Sequence, residues 1–128
     1  MSLRSPLGVV LGRGAAGEGA SHWWAQRMSA LALLPLTVWF VAALIRLPLS
    51  DYAAVTVWIM NSWNPLWLTL LLLAVCWHSA LGVQVVIEDY VHAHALKTAS
   101  LILSGAVHLL LLAAGLFAVL RLAVRGLA

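Results

Sequence analysis

The stretch Tyr52–Ile87, YAAVTVWIMNSWNPLWLTLLLLAVCWHSALGVQVVI, runs for 36 residues without an Asp, Glu, Lys or Arg. A helix crosses the hydrocarbon core of a bilayer with about 20 apolar residues, so this run is too apolar for a soluble fold and too long for a single crossing. Asn61-Ser62-Trp63-Asn64-Pro65 supplies the break, because Asn64 can cap a helix and Pro65 is favourable at its first position. A span over 65–87 follows. Residues 52–60 are expected to form a short helix at the interface, where Tyr52, Trp58, Trp63 and Trp67 make an aromatic belt.

Outward from this stretch, the few charges delimit two more spans. Met28–Ile45 lies uncharged between Arg27 and Arg46 and gives a first span, about 28–46. Pro35 inside it removes one backbone donor and is expected to kink the helix. Lys97 on one side and Arg121 and Arg125 on the other bound a third span, 98–120. Residues 1–27 contain five glycines and the charges Arg4, Arg13, Glu18 and Arg27, and their longest apolar run, Leu7–Leu11, is interrupted by Gly8. That run is too short for a signal-peptide core, so the segment reads as an uncleaved, flexible N-terminal arm. The expected organisation is an arm (1–27), a three-helix membrane domain (28–122) and a short tail (123–128). The fold class is all-α, an integral membrane protein with three transmembrane helices.

Composition agrees and limits the function. Of 128 residues, 64% are hydrophobic and 9% charged, with mean hydropathy +1.02; a soluble domain keeps roughly a quarter of its residues charged. Three spans leave no room for an extramembrane catalytic domain, so no catalytic residue is expected and a redox centre must sit in the bilayer or on a partner. The lone Cys76 excludes an internal disulfide, an iron–sulfur cluster and a cysteine-based zinc site. The net charge of +3 is too small and dispersed for nucleic acid and suits anionic lipid headgroups. Arg4, Arg13, Arg27 and Lys97 fall on the N-terminal side of the membrane, and Arg46, Arg121 and Arg125 on the other. That balance places the N-terminus, and the loop 88–97, in the cytoplasm.

Ionisable residues inside spans are costly and point to function. His78 is ten residues before Glu88, roughly 15 Å below that face by helical rise, with Ala74 and Gly82 four residues away on one helix face. Such small neighbours admit either a flat macrocycle or another helix, so His78 is an axial haem ligand or a histidine hydrogen-bonded across a helix interface. His108 is at matching depth, ten residues after Thr98, and could complete a bis-histidine site within one chain or pair with Ser104 in a polar contact. At the end of the second span, Asp89 lies eleven residues from His78, on the same face at the membrane boundary, beside Tyr90 and near His92. Together they offer donors and a proton route for a quinone in an apolar slot, or form an ordinary interfacial cluster. In Ser21-His22-Trp23-Trp24-Ala25-Gln26-Arg27, Arg27 offers paired donors to a haem propionate or snorkels to lipid phosphate.

These residues together resemble one family. His78-Ser79-Ala80-Leu81-Gly82 leading to Gln84-Val85-Val86-Ile87-Glu88-Asp89-Tyr90-Val91-His92 looks like the region of the small, D-type hydrophobic anchor of succinate dehydrogenase in which a histidine precedes an Asp-Tyr pair by eleven and twelve residues, with glycine four after it. The likeness covers about 18–122, including Trp23-Trp24 ahead of Arg27. It implies a non-catalytic subunit of respiratory complex II in the bacterial inner membrane, tethering the flavoprotein and iron–sulfur subunits. It would form a haem b pocket and a ubiquinone site with a second, C-type anchor. By position, His78 would be an axial ligand of the haem iron, with the other ligand on the partner anchor. Arg27 would contact a haem propionate, Tyr90 would hydrogen-bond ubiquinone and Asp89 would support that site. The resemblance leaves the role of His22 open and assigns none to His108. Two other readings are a self-contained b-type cytochrome using His78 and His108, and a cofactor-free membrane assembly protein.

Overall fold

The computed structural model describes residues 15–61 and 63–125. It contains four helices: α1 (Ala15–Arg46), α2 (Tyr52–Met60), α3 (Asn64–Tyr90) and α4 (His94–Arg125). No strand occurs among the described residues. Three of the helices are long and apolar enough to cross a membrane, over Ala20–Arg46, Asn64–Tyr90 and His94–Arg125. The chain is an all-helical, multi-pass membrane protein.

Each helix outruns its expected span. α1 is already helical at Ala15, so the expected arm is helical over 15–27, while 1–14 lie outside the described residues. Charges mark where a chain meets headgroups, and they do not end a helix whose backbone bonds are made internally. Pro35 lies within this continuous helix, where only the Leu31 carbonyl loses its usual donor. At the far end α4 continues to Arg125, which absorbs the start of the expected tail; 126–128 lie outside the described residues.

The break before α3 is built differently from expectation. The Asn64 side chain leaves α3 uncapped and donates from Nδ2 to the Trp58 carbonyl at 2.6 Å, fastening the end of α2 to the start of α3. Pro65 does occupy the first turn, where its missing N–H costs nothing. α2 is opened by Asp51, whose Oδ1 accepts from the backbone N–H groups of Ala53 (2.9 Å) and Ala54 (3.3 Å). Two of the expected belt tryptophans also make ring contacts within the chain: Trp58 stacks on Trp39 of α1 at 5.7 Å between centroids, and Trp67 of α3, still exposed, meets the same ring at 5.8 Å. Tyr52 and Trp63 stay exposed. Three helices thus share one aromatic joint around Trp39, since stacked indoles gain contact energy beyond their buried area.

α3 is the central element. It packs most extensively on α4 and next on α1, while α1 and α4 have no direct packing among the described residues. Between those two outer helices lies a groove of about 930 Å³, floored by α3 residues such as Leu70, Ala74 and Trp77 and walled by Met28 and Leu36 of α1 and Leu109 of α4. The protein interior is thin: Leu36, Leu81 and Ser29 are its buried residues, whereas Val38, Ile102, Leu110 and Phe117 are each more than 60% exposed. In water this would be untenable, but lipid tails are as apolar as these side chains and leave helix contacts to close packing and polar bonds.

Candidate functional site

One group of polar side chains inside the apolar bundle lies on one face of α1. His22, Gln26 and Ser29 follow the i, i+4, i+7 spacing of a single helical stripe, and this stripe faces His78 in the middle of α3. Ser29, at 8% exposure, is the one buried polar residue among those described. Its Oγ donates to the Gln26 backbone carbonyl at 3.0 Å and lies 3.0 Å from His78 Nδ1. The other ring nitrogen, His78 Nε2, is 3.5 Å from the Gln26 side-chain amide nitrogen. Two buried atoms of the stripe, His22 Nε2 and Gln26 Oε1, have no hydrogen-bond partner among the described residues. Unmet polar requirements of this kind are rare away from water and mark places where another group is bound or strain is held.

Gly82, one turn beyond His78, borders the same spot. A Cβ placed there would meet only the Gln26 amide, at 3.7 Å, an ordinary contact. Packing within this chain therefore does not require glycine at 82.

His108 is held quite differently. Its Nδ1 donates to the Ser104 backbone carbonyl at 2.8 Å, and its Nε2, left as an acceptor, takes the Ser79 hydroxyl proton across to α3 at 3.1 Å. Both ring nitrogens are thereby engaged. Ser79 and His78 are adjacent on α3 and so diverge by about 100° around its axis, one bonded to α4 and the other to α1. The polar contact expected between His108 and Ser104 is formed, mainly through the Ser104 carbonyl, and the matching depth of the two histidines does not bring them to a common partner.

At the end of α3, Asp89 and Tyr90 are exposed, Tyr90 by 78%. Neither side chain is hydrogen-bonded to another described residue, so both are free to meet a group outside the chain. Two side-chain contacts hold the backbone beneath them, beside a side-chain pair one turn earlier. Gln84 Nε2 donates to Glu88 Oε1 at 2.8 Å, Lys97 Nζ donates to the Glu88 carbonyl at 2.8 Å, and the His92 ring bonds the Tyr90 carbonyl through Nδ1 at 3.2 Å. Lys97 serves as a C-cap supplied by the next helix, satisfying one of the carbonyls that a helix end leaves open. Arg27 is exposed beside the stripe, its guanidinium carbon 4.9 Å from the Trp23 ring centroid, within cation–π range.

Sequence reasoning singled out His78, Asp89, Tyr90 and Arg27 but passed over Gln26 and Ser29. Their signal was available: three polar residues, with His22, at i, i+4 and i+7 of one helix. What spacing could not supply was the rotation of α1 that turns this stripe toward His78.

Comparison with known proteins bears on the whole chain. Residues 1–121 match the family described as succinate dehydrogenase/fumarate reductase transmembrane subunit. The succinate dehydrogenase hydrophobic membrane anchor subunit of Rickettsia bellii is 34% identical over 92 residues, covering 70% of this chain and 71% of that protein. The corresponding subunit of Rickettsia conorii is 29% identical over 91 residues (70% and 72%), and the succinate dehydrogenase membrane anchor subunit of Reclinomonas americana is 27% identical over 90 (67% and 74%). With three membrane-spanning helices, no soluble domain among the described residues and a match over nearly its full length, the chain belongs to the succinate dehydrogenase/fumarate reductase transmembrane subunit family as a membrane anchor, a subunit without catalytic chemistry of its own.

Proposed function

We propose that this chain is the D-type anchor of a succinate–ubiquinone oxidoreductase in the bacterial inner membrane, with its N-terminus cytoplasmic. In this reading it helps bind haem b and ubiquinone and tethers the iron–sulfur and flavoprotein subunits together with a C-type anchor. The observation that carries the proposal is the state of the His78 ring. One nitrogen is held by a buried hydroxyl, and the other points at a flexible amide whose own oxygen is unpartnered. Rotating that amide aside gives up a single long contact and exposes a neutral imidazole nitrogen in apolar surroundings, which is what an axial haem ligand requires. Gly82 adds support, since no described residue needs its smallness and a flat group beside His78 would.

Bound haem would supply a one-electron carrier within the bilayer. The chain's own contributions are positional. His78 offers the ligating nitrogen. Arg27, exposed between Gln26 and Ser29 and so at the level of His78, would pair with a propionate, and His22 Nε2, without a partner among the described residues, is a second polar group nearby. Tyr90, roughly 18 Å from His78 along α3 by helical rise, presents its phenolic O–H to a quinone carbonyl. Asp89 beside it supports that site as a carboxylate open to solvent. The self-contained cytochrome loses its support because His108 has both ring nitrogens committed to Ser104 and Ser79.

The test is purification of the complex from solubilised membrane, with and without His78→Leu. A flavoprotein, an iron–sulfur protein and a second small hydrophobic chain should co-purify with a b-type spectrum, and the variant should lose or alter that spectrum. Haem absorption and redox potential unchanged in the variant would remove the ligand assignment.

A further inference from the structure

The hydrogen bonds around His78 select one form of its ring. The Ser29 hydroxyl has a single proton and gives it to the Gln26 carbonyl 3.0 Å away, a back-bond that helical serines often make. What Oγ then offers His78 Nδ1, also at 3.0 Å, is a lone pair, and only an Nδ1–H can use it. The opposite tautomer would leave an Nε2–H facing the Gln26 amide NH2 at 3.5 Å, donor against donor. Both neighbours therefore favour the same state: proton on Nδ1, bare lone pair on Nε2. Because Ser29 is buried, no water competes for this bond, and a hydroxyl anchored on α1 also fixes the plane of a ring carried by α3.

We propose that Ser29 is the positioning residue of His78. By accepting from Nδ1–H it holds the ring in the tautomer and orientation that present Nε2 as a ligand, and it raises the electron-donating power of that nitrogen. This rests on the reading of His78 as a haem ligand. Partners of this kind on the remote ring nitrogen set the basicity of a metal-bound histidine, and their loss typically costs roughly 10- to 100-fold in affinity. A less basic ligand stabilises ferric iron less, so removing the hydroxyl shifts the haem midpoint potential upward.

The experiment compares the intact complex carrying wild-type Ser29, Ser29→Ala, Ser29→Thr and His78→Leu, reading haem midpoint potential by redox titration and haem retention by transfer to excess apomyoglobin. Ser29→Ala is expected to raise the potential and weaken retention by roughly 10- to 100-fold, while Ser29→Thr, which keeps the hydroxyl, matches wild type. Three results would overturn the proposal while leaving the haem reading intact: wild-type potential and retention in Ser29→Ala, the same change in Ser29→Thr as in Ser29→Ala, or failure of Ser29→Ala to assemble, which would make Ser29 a packing residue. A wild-type spectrum in His78→Leu would instead remove the haem reading itself, and the role of Ser29 with it.

Discussion

Substitution of Gly115 tests how the central helix is held. Gly115 of α4 faces Leu72 of α3, and a Cβ at that position would lie 3.0 and 3.1 Å from the two Leu72 methyl carbons. Carbon atoms sit comfortably at about 3.5–4.0 Å, so even alanine forces Leu72 or the helices to give by about half an ångström. Alanine regains up to about 1 kcal/mol of helix propensity over glycine, and Leu72 is a flexible side chain, so Gly115→Ala should be close to neutral. Gly115→Val adds two further carbons to the same space and should destabilise by about 1–3 kcal/mol, the usual cost of overpacking. The assay is denaturant unfolding of the solubilised complex followed by tryptophan fluorescence, to which Trp67 and Trp39 at the α1–α2–α3 joint contribute. Leu72→Ala in the Gly115→Val background should recover most of the loss, giving a coupling energy outside additivity error, about 0.5 kcal/mol. Gly115→Val as stable as wild type, or a double variant no better than the sum of the singles, would refute the claim that this contact sets the α3–α4 approach.

Three further outcomes follow from other contacts. Tyr90→Phe removes a hydroxyl that no described residue uses, so unfolding should change by less than about 0.5 kcal/mol. In steady-state assays of quinone reduction, losing one hydrogen bond of about 0.5–1.5 kcal/mol should raise the quinone KM roughly 2- to 10-fold; an unchanged KM would remove Tyr90 from the quinone site. Ser79→Ala deletes the α3–α4 hydrogen bond to His108 and should cost about 0.6 kcal/mol, the average for such bonds in membranes, with the haem spectrum unaltered; an altered spectrum would tie His108 to the haem after all. Asp51→Ala removes the cap of α2 and should destabilise by about 0.5–2 kcal/mol in the same unfolding assay, whereas Asp51→Asn should be nearly silent; equal losses in both would show that the charge, rather than the cap, matters.

The reach of the sequence differed from residue to residue. Three spans were legible because apolar length alone decides a crossing, and Pro65 marked the start of α3 because the first turn is where a missing N–H costs least, although Pro35 shows that a membrane helix also tolerates proline in its interior. Helix ends were less legible: the chain is already helical at Ala15, where charges and glycines suggested a partly flexible arm, since a charge or a glycine lowers helix propensity without by itself ending a helix. Asn64 was expected to cap α3, but the nearby Trp58 carbonyl takes its amide instead, a choice only the turn geometry could make. The candidate site divided in the same way. His78, Asp89 and Tyr90 lie on one helix, so their spacing already related them, whereas Ser29 and Gln26 lie 49 and 52 residues from His78 and no local pattern could join them to it.

The sequence by itself determined the solvent, the number of crossings and the depth of each ionisable residue, because all three depend on composition and on 1.5 Å of rise per residue. Tertiary structure decided the rotations. Placing α3 between α1 and α4, and turning the His22–Gln26–Ser29 stripe toward α3, gave two histidines of matching depth along the chain different hydrogen-bond partners. His108 has both nitrogens bonded, to Ser104 and Ser79, whereas His78 is bonded at Nδ1 by Ser29 and meets only the Gln26 amide, at 3.5 Å, through Nε2. Depth is a property of distance along the chain, but a hydrogen-bond partner is a property of the angle at which two helices face each other.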